Sequence, residues 1–379
     1  MSIGLKVVVD GIIYQIQSRG GISRLYSEIL PRMCDLDDSL RIALLTDGKL
    51  RQPLPKHSHI IRRPIPPVRR YLRPGRVWRP VIPSARRFVC RLWIGRGEGQ
   101  IWHSTYYMRP GPWDGLQVVT VVDMIHERFT DLFDGPGNDQ FRKEKRRCVL
   151  EADAVICISE ATRQDVQRFY GLDSDSIYVV PLACSDVFKQ LEQCDDGLGA
   201  PTKQPFLLYV GERTHYKNFD RLVQAYSAWS HRKEVALVVV GKPWWANEEQ
   251  RLAELGIQDS MHLLTDVDDE ELCQLYNRAA AFVYPSLYEG FGIPLLEAMA
   301  CGCPIVASRI PSTIEVAAGC PIYFEPTNVE SLLAAFDVAL SGGRASERAQ
   351  AGVDRVKRYS WDKTARQTLE VYHALRNPS

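Results

Sequence analysis

Residues 284–302 run Tyr-Pro-Ser-Leu-Tyr-Glu-Gly-Phe-Gly-Ile-Pro-Leu-Leu-Glu-Ala-Met-Ala-Cys-Gly and carry two carboxylates, Glu289 and Glu297, with seven residues between them. An apolar run ends at Tyr284, a glycine-containing turn follows, and a helix opens near Gly292. Unpaired amides at such a helix start, set at the carboxyl end of a sheet, favour phosphate. Glu289 then falls in the turn and Glu297 about two helical turns further on, so the two carboxylates reach one crevice from different elements. One can meet a sugar and the other a ribose. The competing reading is an ordinary strand-to-helix turn with Glu297 as a solvated helix residue; the coincidence of the carboxylate frame with Gly290, Phe291, Gly292 and Ile293 favours the functional one.

A second stretch, Tyr209-Val210-Gly211-Glu212-Arg213-Thr214-His215-Tyr216-Lys217-Asn218, follows another apolar run. Arg213 and Lys217 together suit a diphosphate, since a guanidinium and an ammonium offset a leaving group whose charge grows as its bond breaks. Either cation alone would read as ordinary surface charge. Gly20-Gly21, ahead of an amphipathic stretch, lets backbone amides approach a phosphate without obstruction. Val118 to Val122 form a buried strand that runs into Asp123 and, three residues later, His126. His126 suits a hydrogen bond to a sugar hydroxyl or to an acceptor, and equally suits a surface histidine. His103 reads as structural. The ten cysteines are scattered, and the close pair Cys301 and Cys303 lacks a second ligand pair at zinc spacing, so no metal site is expected.

Short apolar runs alternate with amphipathic stretches, as in repeated βα units around a parallel sheet. Strands are expected over 5–10, 41–46, 100–103, 117–122, 154–158 and 177–180, and again over 206–210, 235–240, 261–264, 281–284, 304–308 and 321–324. Ile22, Leu25, Tyr26, Ile29 and Leu30 mark a helix over 22–30. Ser159 caps a helix that stops at Gly171, and Thr327 to Glu330 reads as a capping box. Periodicity is lost over 184–204. The expected organisation is an N-terminal Rossmann-like domain over 1–190, a linker over 191–204, a second Rossmann-like domain over 205–358, and a closing segment over 359–379. That segment holds a helix over 361–376 that packs back on the first domain, after a polar stretch over 342–360.

With 379 residues and 45% hydrophobic content, the chain is long enough for two α/β cores. No apolar run reaches the roughly 18 residues that a bilayer span needs, and the N-terminal run is too short for a signal peptide. A cytoplasmic protein with reduced thiols is expected. Net charge is +1, yet residues 51–96 carry thirteen Lys and Arg and no acid. Within them, 68–94 intersperse arginines with Tyr71, Trp78, Phe88 and Trp93, a mix suited to the anionic inner face of a membrane. Prolines break the pattern and no RNA-binding motif accompanies it, which argues against nucleic acid.

The Glu289 to Glu297 frame looks like the Glu-x7-Glu motif of the retaining family-4 glycosyltransferases, and the likeness covers nearly the whole chain. The resemblance implies an α/β protein of GT-B fold: two Rossmann-like, doubly wound domains facing a cleft, with a nucleotide-sugar donor held mainly by the second. It implies no cofactor and no metal. It implies catalytic roles for Arg213, Lys217 and Glu289, beside which His126 stands as a catalytic candidate of this chain's own, and donor binding by Gly20, Gly21, Arg213, Lys217, Gly290, Phe291, Gly292, Ile293 and Glu297. Many relatives carry His-Asp where this chain has Val122-Asp123, a departure that turns attention to His126. The likeness is closest to polysaccharide and O-antigen mannosyltransferases, which implies GDP-mannose as donor and a glycan or polyprenyl-linked acceptor. A UDP-sugar transferase with a soluble acceptor, and an epimerase or phosphorylase of the same fold, are the alternatives. A glycosidase would leave Arg213 and Lys217 without a purpose, and a glycan-binding protein needs no diphosphate clamp.

The basic segment makes a direct prediction. Neutralising Arg69, Arg70, Arg73, Arg76 and Arg79 together should release the protein from anionic vesicles in co-sedimentation, each group near such a surface being worth about 1 kcal/mol. The difference should shrink in high salt. Equal co-sedimentation of the two forms removes the membrane reading.

Overall fold

The alternating pattern folds as two parallel sheets, each clothed by helices and each with its own core. A computed structural model describes residues 4–18, 20–65, 97–110, 113–193 and 202–377. Residues 66–96, with Arg69, Arg70, Arg73, Arg76 and Arg79, lie outside the described residues. The chain divides into two compact units, Met1–Leu182 with Trp361–Ser379, and Ala183–Ser360.

In the first unit the strands are β1 (Lys6–Asp10), β2 (Arg41–Asp47), β3 (Ile60–Ile65), β4 (Ile101–Ser104), β5 (Leu116–Val121), β6 (Ala154–Cys157) and β7 (Ile177–Val179). They pair in parallel in the order β3-β2-β1-β4-β5-β6-β7. Central strands are apolar on both faces, as a sheet covered by helices on each side requires: Val7, Val8 and Val9 are buried. Strand β3 is absent from the expected series because Arg62, Arg63 and Pro64 break its apolar run. It forms as an edge strand, where a missing amide is tolerated.

Among the described residues before Leu182, the helices of this unit are α1 (Ile13–Ile16), α2 (Gly21–Leu36), α3 (Ile125–Arg128), α4 (Pro136–Leu150) and α5 (Glu160–Tyr170). Helix α2 buries Leu25, Tyr26, Ile29, Leu30 and Met33, and continues past Pro31 beyond the expected 22–30. Helix α5 starts on Ser159, whose hydroxyl accepts the Thr162 amide at 2.9 Å, and ends at Gly171 in the left-handed region, φ 70°.

In the second unit β8 (Phe206–Val210), β9 (Ala236–Val240), β10 (Met261–Leu264), β11 (Ala281–Tyr284), β12 (Ile305–Ser308) and β13 (Ile322–Phe324) pair in parallel in the order β10-β9-β8-β11-β12-β13. Helices α6 (Phe219–Ala228), α7 (Ala246–Glu254), α8 (Asp269–Arg278), α9 (Ile293–Ala300), α10 (Pro311–Ala317), α11 (Val329–Gly342) and α12 (Glu347–Val356) accompany them. Two local expectations are corrected. The cap of α11 is Asn328, whose carboxamide oxygen accepts the Ser331 amide at 2.7 Å, one residue beyond the expected Thr327 box. That start turns Leu332, Ala335, Phe336 and Ala339 into the core. The stretch 342–360 contains α12, whose buried residues are only Ala349 and Gly352. Gly352 lies against Met299 of α9, where an added Cβ would come within 3.0 Å of its Cγ. So small an apolar face leaves no hydrophobic period in the sequence.

Helix α13 (Trp361–Arg376) belongs to the first unit and packs on α2. Trp361, Ala365, Leu369 and Tyr372 are buried, Thr364 donates to the Pro181 carbonyl at 2.7 Å, and Arg32 meets Asp362 at 3.0 Å. Beneath them His103 of β4 is fully buried. Its Nδ1 is hydrogen-bonded to the Tyr372 hydroxyl at 2.5 Å and its Nε2 to Thr120 Oγ1 at 2.8 Å.

Burial pushes the His103 imidazole down from its ordinary 6.5 to about 3. The unfolded chain therefore takes up a proton below pH 6.5 that the folded one refuses until about pH 3, so the first unit loses stability as pH falls through that window. In urea unfolding, His103→Gln should flatten this part of the pH profile. Tyr372→Phe, which strips Nδ1 of its partner, should cost about 1–3 kcal/mol. An unchanged pH slope in His103→Gln would refute the assignment.

Candidate active site

In the second unit the chain first lays down β8, adds β9 and β10 on one side, then crosses to add β11, β12 and β13 on the other. The order reverses between β8 and β11, and the crevice beyond the carboxyl ends of such a strand pair is where open α/β sheets bind ligands. The loops after these two strands hold Lys217 and Glu289.

Lys217 Nζ donates to Glu289 Oε1 at 2.7 Å, with 21% and 12% of the two side chains exposed. Ser286 Oγ donates to the same oxygen at 2.6 Å, and the buried Tyr284 hydroxyl is also hydrogen-bonded to Glu289. Burial pulls the Lys217 pKa down, but the Glu289 carboxylate and Tyr216 more than offset it, so the ammonium is held above its ordinary range. The site thus presents a half-buried ammonium, charged at neutral pH, beside a carboxylate crowded with donors.

Asn218 ties the two loops together. It stands in the left-handed region, φ 59°, between the single turn His215–Lys217 and α6. Its Nδ2 donates to the Pro285 carbonyl at 2.9 Å and to the Pro326 carbonyl at 2.8 Å. The Leu287 amide meets the Tyr216 carbonyl at 2.7 Å. Sequence reading misses Asn218 because it sits beside Lys217 as one more polar loop residue.

Gly292 caps α9 with φ 115°, and a Cβ there would lie 3.0 Å from Leu295 Cδ1. Ile293 and Pro294 open the helix, so its start faces the same loops. Phe291 is buried, edge-on to Tyr359 at 5.8 Å, and anchors the turn that also carries Gly290. Glu297 is 6% exposed and accepts from the Tyr276 hydroxyl of α8 at 3.1 Å, which rules out the solvated-helix reading.

Arg213 is engaged elsewhere. Its Nε and Nη2 donate to the two carboxylate oxygens of Glu248 at 2.8 and 2.9 Å. Nη1 and Nη2 donate to the Lys242 and Pro243 carbonyls at 2.9 and 2.8 Å, and the guanidinium lies 4.5 Å from the Trp244 ring centroid.

In the first unit, Gly20 is extended, with φ 169°, and Gly21 is the first residue of α2. The Gln17 carboxamide fills the space beside Gly20 and accepts the Ser23 amide at 3.2 Å. His126 lies in α3 with its ring 4.4 Å from that of Phe133 and 4.6 Å from that of Phe141. Its Nδ1 is buried without a hydrogen-bond partner, and burial lowers its pKa, so the ring is neutral near pH 7. The loop carrying it is pinned by Lys145, which donates to the Asp123 carbonyl and to Glu127 Oε2, each at 2.8 Å, while Tyr170 donates to Glu127 Oε1 at 2.5 Å. Among the described residues, one group has metal-ligand spacing: Cys34, His57 and His59, with donor atoms within 4.8 Å of one another. Both His57 nitrogens are already bonded, Nε2 to Asp35 and Nδ1 to the His59 amide.

This architecture agrees with comparisons to known proteins. The family model described as Glycosyltransferase Family 4 matches residues 19–184, and that described as Glycosyl transferases group 1 matches residues 192–353. Sucrose-phosphate synthase of Thermosynechococcus elongatus superposes with a TM-score of 0.79 at 18% identity, over 98% of this chain and 99% of that one. The fold is GT-B, and the chain belongs to the family-4 glycosyltransferases. It is 32% identical over 233 residues to O-antigen chain mannosyltransferase B of Escherichia coli, covering 59% of this chain and 61% of that protein. It is 30% identical over 238 residues to the MMP alpha-(1->4)-mannosyltransferase of Mycolicibacterium hassiacum, covering 61% and 56%. The matched region thus spans about three fifths of each relative's length.

Asn218 yields a stability test. Asn218→Gly keeps the left-handed backbone but removes both loop-tying donors, and should cost about 1–3 kcal/mol in urea unfolding. Asn218→Ala should cost about 1–2 kcal/mol more because its Cβ resists that backbone region. Alanine more stable than glycine here would contradict the geometry.

Proposed function

We propose that the protein transfers a mannosyl group from GDP-mannose, with retention of anomeric configuration, to a glycan or polyprenyl-linked glycan during cell-surface polysaccharide assembly. The observation that carries this reading is the Lys217–Glu289 pair at the strand-order reversal, beside the start of α9. The names of the mannosyltransferase relatives support the choice of sugar. In the proposed reaction the sugar's bond to the donor phosphate breaks, and the acceptor oxygen bonds the anomeric carbon on the same face. The acceptor's proton passes to the departing phosphate oxygen. Lys217, kept charged by Glu289, and the Ile293 amide at the start of α9 stabilise that phosphate more in the transition state than in the ground state. Glu289 holds the sugar and Glu297 the ribose. The Gly20-Gly21 turn and His126 are assigned substrate contacts, and no step calls on a metal. No described helix is long and apolar enough to cross a membrane; peripheral attachment at the inner membrane face is part of the proposal.

A panel of nucleotide sugars, read by thermal shift and hydrolysis, tests the donor; stabilisation by UDP-sugars alone would replace GDP-mannose. Lys217→Ala should lower turnover by roughly 10²–10³. Glu289→Gln should chiefly lower kcat, whereas Glu297→Gln should weaken donor and bare nucleoside diphosphate alike. Equal loss of nucleoside diphosphate binding in both removes the assignment, and loss only with Glu289→Gln reverses the two roles.

A further inference from the structure

Two cations occupy the loop after β8, and their surroundings differ. Lys217 makes one ion pair at a half-buried position, while Arg213 has 3% of its side chain exposed and donates four hydrogen bonds, two to Glu248 and two to carbonyls. Glu248 is itself shared. It stands in the first turn of α7, and the oxygen that receives Arg213 Nη2 also accepts the Trp245 amide at 2.9 Å. Arg213 and Glu248 therefore hold Lys242, Pro243, Trp244 and Trp245 from both ends. The backbones beneath them touch: a Cβ on Gly241 would come within 2.7 Å of the Gly211 carbonyl and 3.1 Å of Arg213 Nη1. The loop so fixed follows β9, the neighbour of β8, and presents the Trp245 ring with 56% of the residue exposed. Turning Arg213 toward a phosphate would break this set and leave the Glu248 carboxylate, 12% exposed, without its cation.

We propose that Arg213 is a positioning residue that locks the Lys242–Trp245 loop at the mouth of the donor site, leaving Lys217 as the side chain of its own loop that meets the diphosphate. The inference rests on the donor-binding reading of the Lys217 loop and departs from the pyrophosphate contact that the family resemblance implies for Arg213.

The test compares Arg213→Ala, Glu248→Gln and Lys217→Ala in the full chain, using calorimetry with a nucleoside, its diphosphate, and amide hydrogen exchange of residues 242–248. Arg213→Ala and Glu248→Gln should behave alike: faster exchange over 242–248, and roughly tenfold weaker binding of nucleoside and diphosphate by a common factor. Lys217→Ala should weaken the diphosphate selectively and leave that exchange unchanged. Loss confined to the diphosphate in Arg213→Ala means a direct phosphate contact and overturns the proposal. Tighter diphosphate binding in Glu248→Gln means that Glu248 merely occupies the phosphate's place, and overturns it equally. Unchanged exchange in both variants also overturns it. If the wild-type protein binds no nucleoside diphosphate, the transferase reading fails, and the exchange measurement still decides whether Arg213 and Glu248 lock the loop.

Discussion

A parallel sheet covered on both faces leaves its strands no contact with solvent except at their ends. In the second unit β8 and β11 are buried along nearly their whole length, so anything reactive must sit in the loops that leave their carboxyl ends. These loops are separated by 72 residues in sequence at the Lys217–Glu289 contact, and their alignment depends on what joins them. Asn218 supplies the join: a backbone conformation that few residues tolerate lets one carboxamide reach two carbonyls from two different turns. The ion pair above it is a consequence of that tie.

The two units use buried ion pairs for different ends. Lys145 and Glu127 are 1% and 7% exposed, and a tyrosine hydroxyl fills the remaining acceptor. Nothing is left for a ligand, and the pair fixes the loop after β5. Lys217 keeps 21% of its side chain in contact with solvent, and its partner carboxylate already has other donors in Ser286 and Tyr284. An anion that drew the ammonium away would leave Glu289 still hydrogen-bonded. Replaceability, rather than charge alone, separates a binding cation from a structural one.

How much of this is legible in the sequence follows from the range of each signal. Parallel strands announce themselves as apolar runs, and the second unit's six appear within a residue or so of their expected places. The Glu289 to Glu297 frame is local and can be read directly. Strand β3 and helix α12 escape for opposite reasons: one hides behind two arginines and a proline, the other buries only an alanine and a glycine. Glu248 is out of reach because its partner lies 35 residues away and Glu249 beside it looks the same. Lys145 is likewise hidden among the basic residues of α4, where only the three-dimensional fold distinguishes the buried one.

The return of α13 to the first unit has a consequence for synthesis. A chain emerging from the ribosome completes the second unit at Ser360, while the first still lacks the helix that covers α2 and the hydroxyl that meets His103. Domains commonly mature in the order in which they are made; here the earlier-made sheet must wait with an apolar flank uncovered until the later one is finished. The N-terminal sheet, although made first, thus cannot complete its packing until α13 has been made.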